Sequence, residues 1–528
     1  MAVDHGGCTD QAASALPRAL SVADHYHGTA DLYVYFYELG MSILRPGGRL
    51  SFIVTNKWLK AAYGEPLRRY FAENAWVESV VDFGHAKQIF EDADVFPSII
   101  VARKPTQDPA PTTTRVCAIP REQLRISDLS NQIEAEGFDV ERSTLGGNAW
   151  SLEPKGVFDL LARIREAGTS LSDFTSAKPY RGILTGFNDA FLIDSGTRKM
   201  LIDSDPDCTD LIKPYLRGQD ISRWHAAWPG LWMIVIKSSA NHPWPWTTTK
   251  EDEAEGIFQR TYPSLHNHLK RFEEQLRKRQ DKGRYWWELR ACAYWDTFDK
   301  PKIIYQEIQF HPSYSYDEVG RYGNNKIFFV PTQDLYLLSV LNSTLMWWFN
   351  WRYLPHMKDE ALTPVGFLME KLPIVVPTDT IRSGVELYAQ KLVGHTATKR
   401  QTQDDILDWL KVEHEVAEPT TKLQSPIGLD SDGLIAEVRK VRGRKKPLSL
   451  AALRSLREEH ARTIVPAQAL AAEARGLERR VSDLVNQAYG LTPDEVRLMW
   501  QTAPPRMPIA PPSSSNASSD PRAQTTGD

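Results

Sequence analysis

From Asp31 to Leu44 almost every position is apolar, in the run Asp-Leu-Tyr-Val-Tyr-Phe-Tyr-Glu-Leu-Gly-Met-Ser-Ile-Leu. A segment of this kind predicts a helix that is apolar nearly all round and hence buried. Arg45-Pro46-Gly47-Gly48 stops it, and Arg49 to Val54 then reads as a short buried strand. Gly64 to Asn74 alternates as an amphipathic helix, Val77 to Phe83 as a second strand, and Phe96 to Ala102 as a third. Strand–helix–strand at these lengths predicts a doubly wound α/β sheet. Only about half of such a sheet is expected, because no first strand with a Gly-x-Gly-x-x-Gly phosphate turn occurs.

The remaining pattern is less regular. Residues 104–115 are rich in Pro and Thr and read as a linker. Residues 116–150 show no clear period, and Val157 to Ala167 is helical. Residues 175–375 are aromatic and dotted with turns, which predicts an irregular α+β or mostly β domain. Within it Gly323-Asn-Asn325, between Tyr322 and the run Lys326-Ile-Phe-Phe-Val330, suggests a hairpin. A helix is expected from Leu335 to Arg352, with further helices over 380–412 and 448–489. Gly490 should cap the last of these, and Thr492-Pro493-Asp-Glu495 should start another with proline at its first position. No internal repeat is visible. The expected division is a disordered start over 1–25, half of an α/β sheet over 26–105, a linker and connecting helix over 106–170, a turn-rich domain over 171–376, a helical region over 377–503, and a disordered tail over 504–528.

Composition narrows the function classes. The 528 residues are 42% hydrophobic and 25% charged, an ordinary globular balance with room for two to four domains. A net charge of -4 argues against a generic polyanion binder but leaves room for one local basic face. The four cysteines, Cys8, Cys117, Cys208 and Cys292, are too scattered for a disulfide framework or zinc site, and the 13 histidines show no metal spacing. No metal is expected. No stretch approaches the ~18 consecutive apolar residues of a membrane span, and no secretory start is present, so a cytoplasmic protein is expected.

Three stretches together resemble one family, the Type IIG and TaqI-like adenine-N6 DNA methyltransferases. The first is Tyr26-His-Gly-Thr-Ala-Asp-Leu-Tyr-Val-Tyr-Phe-Tyr37 with Leu44-Arg-Pro-Gly-Gly-Arg-Leu-Ser-Phe-Ile-Val-Thr-Asn-Lys-Trp58. The second is Tyr180-Arg-Gly-Ile-Leu-Thr-Gly-Phe-Asn188 with Leu211-Ile-Lys-Pro-Tyr-Leu-Arg-Gly-Gln-Asp220. The third is Tyr285-Trp-Trp-Glu-Leu-Arg290, then Pro301-Lys-Ile-Ile-Tyr-Gln-Glu307, then Leu335 to Leu345. Each alone is weak; the three in order are specific. The resemblance implies a partial Rossmann-like methyltransferase sheet, then an α+β target-recognition domain, then a helical C-terminal region. It implies S-adenosylmethionine as cofactor and double-stranded DNA as partner.

In that family the first stretch directly follows a catalytic Asn-Pro-Pro-Tyr quartet, whose acceptors direct the adenine N6 lone pair at the methyl group. Methylation needs those acceptors in line with the donor and the base flipped out of the duplex. The quartet is absent, since the only Pro-Pro pairs are Pro504-Pro505 and Pro511-Pro512, and no nuclease signature is present. The expectation is a family member that begins after its catalytic motif, through a truncated gene, a mis-called start, or a split enzyme completed by a separate polypeptide. The isolated chain is then inactive and doubtful as a cofactor binder. A non-catalytic specificity module is the alternative, and a small-molecule methyltransferase is disfavoured because residues 175–375 would have no role.

The resemblance also suggests site residues. Phe90 matches the family phenylalanine that packs against the flipped adenine; its plainer reading is a loop aromatic filling local core. Asn56, Lys57 and Trp58 follow a strand end, where open α/β sheets place ligands. In the recognition domain Arg181, Asn188, Lys213, Arg217, Arg290, Lys302 and Gln306 are candidates to read base edges or hold phosphates. For each of these a solvated surface charge or internal ion pair competes. Trp347, Trp348 and Trp351 are expected on the buried side of their helix. The basic run Arg439 to Lys446 is either a solvated loop or a phosphate contact.

Overall fold

The computed structural model describes residues 31–93, 95–119, 123–150, 152–443 and 447–511. The expected disorder of 1–25 and the final Pro512–Asp528 lie outside the described residues. The chain divides into two compact units. One holds the residues up to Ala162 together with Met357–Glu360, and the other holds the rest.

The first unit is built on five strands: β1 Arg49–Thr55, β2 Trp76–Asp82, β3 Pro97–Arg103, β4 Thr113–Ala118 and β5 Phe138–Glu141, in the order β1-β3-β2-β4-β5. This is a mixed sheet. β3 runs antiparallel to both β1 and β2, β2 and β4 are parallel, and β4 and β5 are antiparallel. The expectation was about half of a doubly wound α/β sheet. The mixed order has a local cause: among the described residues the chain between β2 and β3 forms turns and no helix, so β3 inserts by a short return instead of a covered crossover. β4 and β5 also correct the expected linker over 106–170, since both belong to this sheet.

The Tyr33–Ile43 helix is not buried all round. Val34, Tyr37, Glu38 and Met41 face inward, while Leu32, Phe36 and Ile43 are exposed. Its inner face, with Trp58, Phe71 and Trp150, forms the core of the unit. Trp58 packs on Tyr37 and Trp150 with ring centroids 5.5 and 5.2 Å apart. Buried Arg68 donates to the Trp58, Ala61 and Gly147 carbonyls and so fixes the turn that follows β1. At Gly64 a Cβ would meet the Trp58 carbonyl oxygen at 2.2 Å, so only glycine fits there.

The second unit contains β6 Thr169–Ser170, β7 Tyr180–Arg181, β8 Leu192–Ile193, β9 Ile212–Leu216, β10 Trp224–His225, β11 Trp232–Ile234, β12 Lys302–Gln306, β13 Tyr314–Asp317, β14 Tyr322–Gly323, β15 Ile327–Val330 and β16 Pro373–Ile374. They form one sheet in the order β10-β13-β12-β15-β7, a second in the order β14-β9-β11-β8, and the pair β16-β6. The expected hairpin at Gly323-Asn-Asn325 does not form. β14 joins β9 in one sheet and β15 joins β12 and β7 in the other. Gly182 and Ile183 donate to the Ile327 and Gly323 carbonyls, so the ladder positions of a hairpin are already taken.

Buried Glu288 organises the aromatic core of this unit. Its carboxylate accepts from the Ser239, Arg284 and Tyr285 backbone N–H groups and from Trp246 Nε1. Beside it Arg279 donates to the Thr185, Trp286 and Glu288 carbonyls, and burial pulls its pKa down to about 10.

The expected Leu335–Arg352 helix is two helices, Leu335–Leu341 and Thr344–Tyr353, broken where the Asn342 side chain holds Tyr314 and Ser343 caps the second helix. Trp347 and Trp348 are buried in it, as expected. Their indole N–H groups donate to Pro505 O and Thr502 Oγ1. Residues 504–511 are thereby fixed, against the expectation of a disordered tail from 504. The Asp379–Glu413 helix packs along the Val465–Ala488 helix, which begins with a π-turn at His460–Ile464 beside Pro466. Proline lacks the N–H that a regular turn would use there. Thr492 and Glu495 cap the last helix reciprocally. No helix among the described residues is long and apolar enough to cross a membrane.

Candidate functional site

In the first unit β1 and β2 point the same way, with β3 between them, so their C-terminal ends share one edge. Asn56 follows β1 and donates from Nδ2 to Asp82 Oδ1 at the end of β2, 2.8 Å away. The same oxygen accepts from the Gly84 N–H at 3.0 Å. Asn56 N–H donates to Phe96 O, and Phe83 N–H to Pro97 O, closing the 83–96 loop at its base. Phe90 lies on this loop and is 38% exposed. That exposure disfavours the reading of Phe90 as a core filler. Lys57, Lys60 and Lys87 are exposed near the same strand ends and have no ion-pair partner among the described residues. Trp58 is a correction: its side chain is fully buried in the core and cannot face a substrate.

His85 is buried directly beside the edge. Its ring lies against Phe96, centroids 5.0 Å apart, and its Nδ1 accepts from the Asp359 N–H at 3.3 Å. No signal in the sequence pairs these residues, because 274 positions separate them.

In the second unit the C-terminal end of β12 carries two contact groups that include sequence candidates. Gln306 Nε2 donates to the Gly218 and Ile221 carbonyls at 2.6 and 3.0 Å, tethering the turn that carries Arg217. Arg217 is 41% exposed and makes a forked contact with Asp220, which raises the guanidinium pKa further. Next to Gln306, Glu307 pairs with both Arg181 at 2.5 Å and Lys326 at 2.6 Å. Two exposed cations therefore share one carboxylate, leaving a local excess of positive charge. Lys326 was not among the sequence candidates. Its position just before an apolar strand, opposite Gln306 and Glu307, is visible only once β12 and β15 pair.

The other candidates lie elsewhere. Asn188 is exposed, and its Oδ1 accepts from Thr185 Oγ1. Lys213 lies 3.3 Å from Asp299, and Arg290 lies 3.3 Å from Asp281, each partly open to solvent. Lys302 is removed from the DNA-facing candidates: its side chain is 1% exposed, and its ammonium is held by Asp317 and by the Phe298 and Lys300 carbonyls. Burial lowers its pKa. Arg439, Lys440 and Arg442 end the Ser431–Arg442 helix, and residues 444–446 of the same basic run lie outside the described residues.

No group of three or more His, Cys, Asp or Glu among the described residues is placed to hold a metal. Among the described residues the strand-end edge of the first unit does not offer the glycine-rich turn that would cradle S-adenosylmethionine. The enclosed cavity between β9, β12, β14 and β15 holds about 10 Å³, and the hollow at 126–131 is an open polar surface. The strand ends of the first unit carry a carboxylate–amide pair and no glycine-rich cradle.

Three segments of the chain match known protein families. Residues 18–90 match the Eco57I restriction-modification methylase family, and residues 213–374 match the TaqI-like C-terminal specificity domain. Residues 378–485 match a domain of unknown function, DUF8810. The Type II methyltransferase M.XhoI of Xanthomonas vasicola is 24% identical over 60% of this chain and 56% of its own length. M.BstVI of Geobacillus stearothermophilus is 20% identical over 66% of this chain and 62% of its own. The chain thus spans about three-fifths of the length of these curated relatives. Among solved structures, the Type IIL restriction-modification enzyme MmeI in complex with DNA covers 86% of this chain and 54% of its own, at 12% identity and a TM-score of 0.44. That likeness is too distant to bear on function.

Proposed function

We infer, from a chain that carries the methylase and specificity segments of the Type II restriction–modification methyltransferases, that it serves site-specific methylation of adenine N6 in duplex DNA. The recognition unit of residues 163–356 and 361–511 would grip the duplex. The observation that carries this reading is a pair of cation groups at the end of β12: Arg181 and Lys326 on Glu307, and Arg217 on Asp220 in the turn that Gln306 tethers, most of them within the matched segment 213–374. Their cations are held in place by Glu307 and Asp220, so they are ordered before any duplex arrives. Guanidinium forks of this kind suit phosphates and guanine edges. A phosphate that competes with these carboxylates gains an arranged donor set at little further ordering cost.

In the first unit, Phe90 would stack on the extruded base, and Lys57, Lys60 and Lys87 would hold the flanking phosphates. Asn56 and Asp82 set the strand end from which that loop departs. S-adenosylmethionine supplies the methyl group in this family, and the glycine-rich turn that would cradle it does not occur in this sequence. The acceptors that activate N6 are also absent from these 528 residues. The purified chain should therefore bind duplex without methylating it.

A second reading is supported by the same absence: a specificity module that acts with a separate catalytic polypeptide. One experiment serves both. Duplexes selected from a random pool by the purified chain should converge on a short sequence, with binding that weakens steeply as salt rises. Tritiated methyl transfer from S-adenosylmethionine to that duplex should be absent for the chain alone. Transfer by the chain alone would overturn the division of labour, and failure to enrich any sequence would overturn the recognition role.

A further inference from the structure

The chain makes one short excursion that neither the recognition cluster nor the core of the second unit requires. His356 and Leu362 face each other in an antiparallel bridge, and Leu362 also exchanges both backbone hydrogen bonds with Gln309. Between these closed ends, Met357–Glu360 leaves the second unit and belongs to the first. Asp359 and Glu360 both adopt positive φ, 55° and 57°, a conformation that non-glycine residues rarely take and almost never in succession. Glu360 is 6% exposed despite its charge. A backbone this unfavourable persists where its surroundings hold it, and here the surroundings are the loop that carries Phe90.

The hold is on both ends of that loop. At its start, Gly84 takes φ +54°, and a Cβ added there would come within 2.9 Å of Glu360 Oε1. The next residue, His85, is wholly buried and accepts the Asp359 N–H at Nδ1, with the Asp359 carboxylate 3.7 Å from the same nitrogen. At the loop's end, Phe96 lies against the His85 ring. Asp359 and Glu360 thus press on Gly84 and His85, and His85 carries that contact to Phe96. Phe90 projects from the stretch held between them.

We propose that Asp359, Glu360 and His85 are positioning residues that fix the 84–96 loop, and with it the Phe90 ring, through the 357–360 strap. The proposal rests on the reading of Phe90 as the base-stacking ring for its functional meaning, but the strap itself is testable without DNA.

The test uses the full chain with 4-fluorophenylalanine incorporated at position 90, read by fluorine NMR, together with amide hydrogen exchange of peptides from 84–96. Asp359→Gly/Glu360→Gly relaxes the backbone and deletes both carboxylates. It should speed exchange over 84–96 at least tenfold and shift or broaden the fluorine line, while peptides from β2 and β12 keep wild-type rates. Asp359→Asn/Glu360→Gln keeps the shape and the hydrogen-bonding groups and should restore both signals. An unchanged fluorine line and unchanged loop exchange in the glycine variant would overturn the strap, as would exchange that rises equally in β2 and β12. Adding the selected duplex to the wild-type chain is a separate arm. A fluorine line that does not respond to duplex refutes the stacking role of Phe90 and leaves the strap standing.

Discussion

Lys302 and Asp317 occupy opposed positions on antiparallel β12 and β13, with Nζ 3.1 Å from Oδ2 and neither side chain open to solvent. Arg321 reaches the other carboxylate oxygen at 2.9 Å. Removing one partner of a buried pair costs about 3–5 kcal/mol when the other is left uncompensated; Asp317 keeps Arg321, so loss of Lys302 should cost less than that. Lys302→Met should lower the urea midpoint accordingly, while the folded fraction keeps its affinity for duplex. A variant of normal stability that had lost DNA binding would return Lys302 to the DNA-facing set.

Phe90 gives the opposite expectation. Its partial exposure means that Phe90→Ala should cost less than the roughly 3–5 kcal/mol of truncating a fully buried phenylalanine. With the selected duplex carrying 2-aminopurine at its target adenine, the variant should lose the fluorescence change that accompanies stacking of an extruded base, while overall affinity falls less than that of the lysine variants below. Equal fluorescence from variant and wild type would remove Phe90 from the site.

Lys57, Lys60 and Lys87 can be tested through counterion release. Each lysine that touches a phosphate contributes about 0.9 to the slope of log K against log salt. Lys57→Gln/Lys60→Gln/Lys87→Gln should flatten that slope by roughly one to three without changing which sequence is selected. Arg217→Ala should instead relax selection at one position, since it removes a forked donor held ready by Asp220. A changed preferred sequence in the lysine variant would contradict this assignment.

His268 ties stability to pH. Its Nε2 donates to Ala190 O at 3.0 Å, and burial holds its pKa below the ordinary histidine value of 6.5. The unfolded chain therefore takes up a proton at a higher pH than the folded one. Between those two values the unfolded state binds more protons, so stability rises with pH and is lost as pH falls from about 6.5 downward. His268→Gln keeps a donor and cannot titrate, and it should reduce the loss of thermal stability between pH 7.5 and 5.5. An unchanged loss would mean that His268 has no such linkage.

Local pattern was enough for much of this protein. Each of the first three strands falls within a residue or so of its predicted bounds, because each is a short apolar run ended by Gly, Asn or Pro. The capped helix at Thr492 and the buried Trp347 and Trp348 were legible for the same reason. What pattern could not show is pairing across long separations. The antiparallel insertion of β3, the membership of β4 and β5 in the first sheet, and the division of Tyr322 and Ile327 between two sheets all depend on partners far away in the chain. The site divides the same way. Arg217 and Gln306 were identified singly, but the turn that joins them, the sharing of Glu307 by Arg181 and Lys326, and the contact of His85 with Asp359 exist only in three dimensions. Lys302 and Trp58 carry the residue types of a binding site, and their burial assigns them to the fold.

Among the described residues β1 has a hydrogen-bonded neighbour on one side only. No described strand pairs with its other side, where Ile53 is 41% exposed on the strand and Leu32, Phe36 and Ile43 are exposed on or beside the adjacent helix. Margins of that kind recruit further strands. Light scattering of the purified protein should therefore show self-association that grows with concentration, and Ile53→Lys should suppress it.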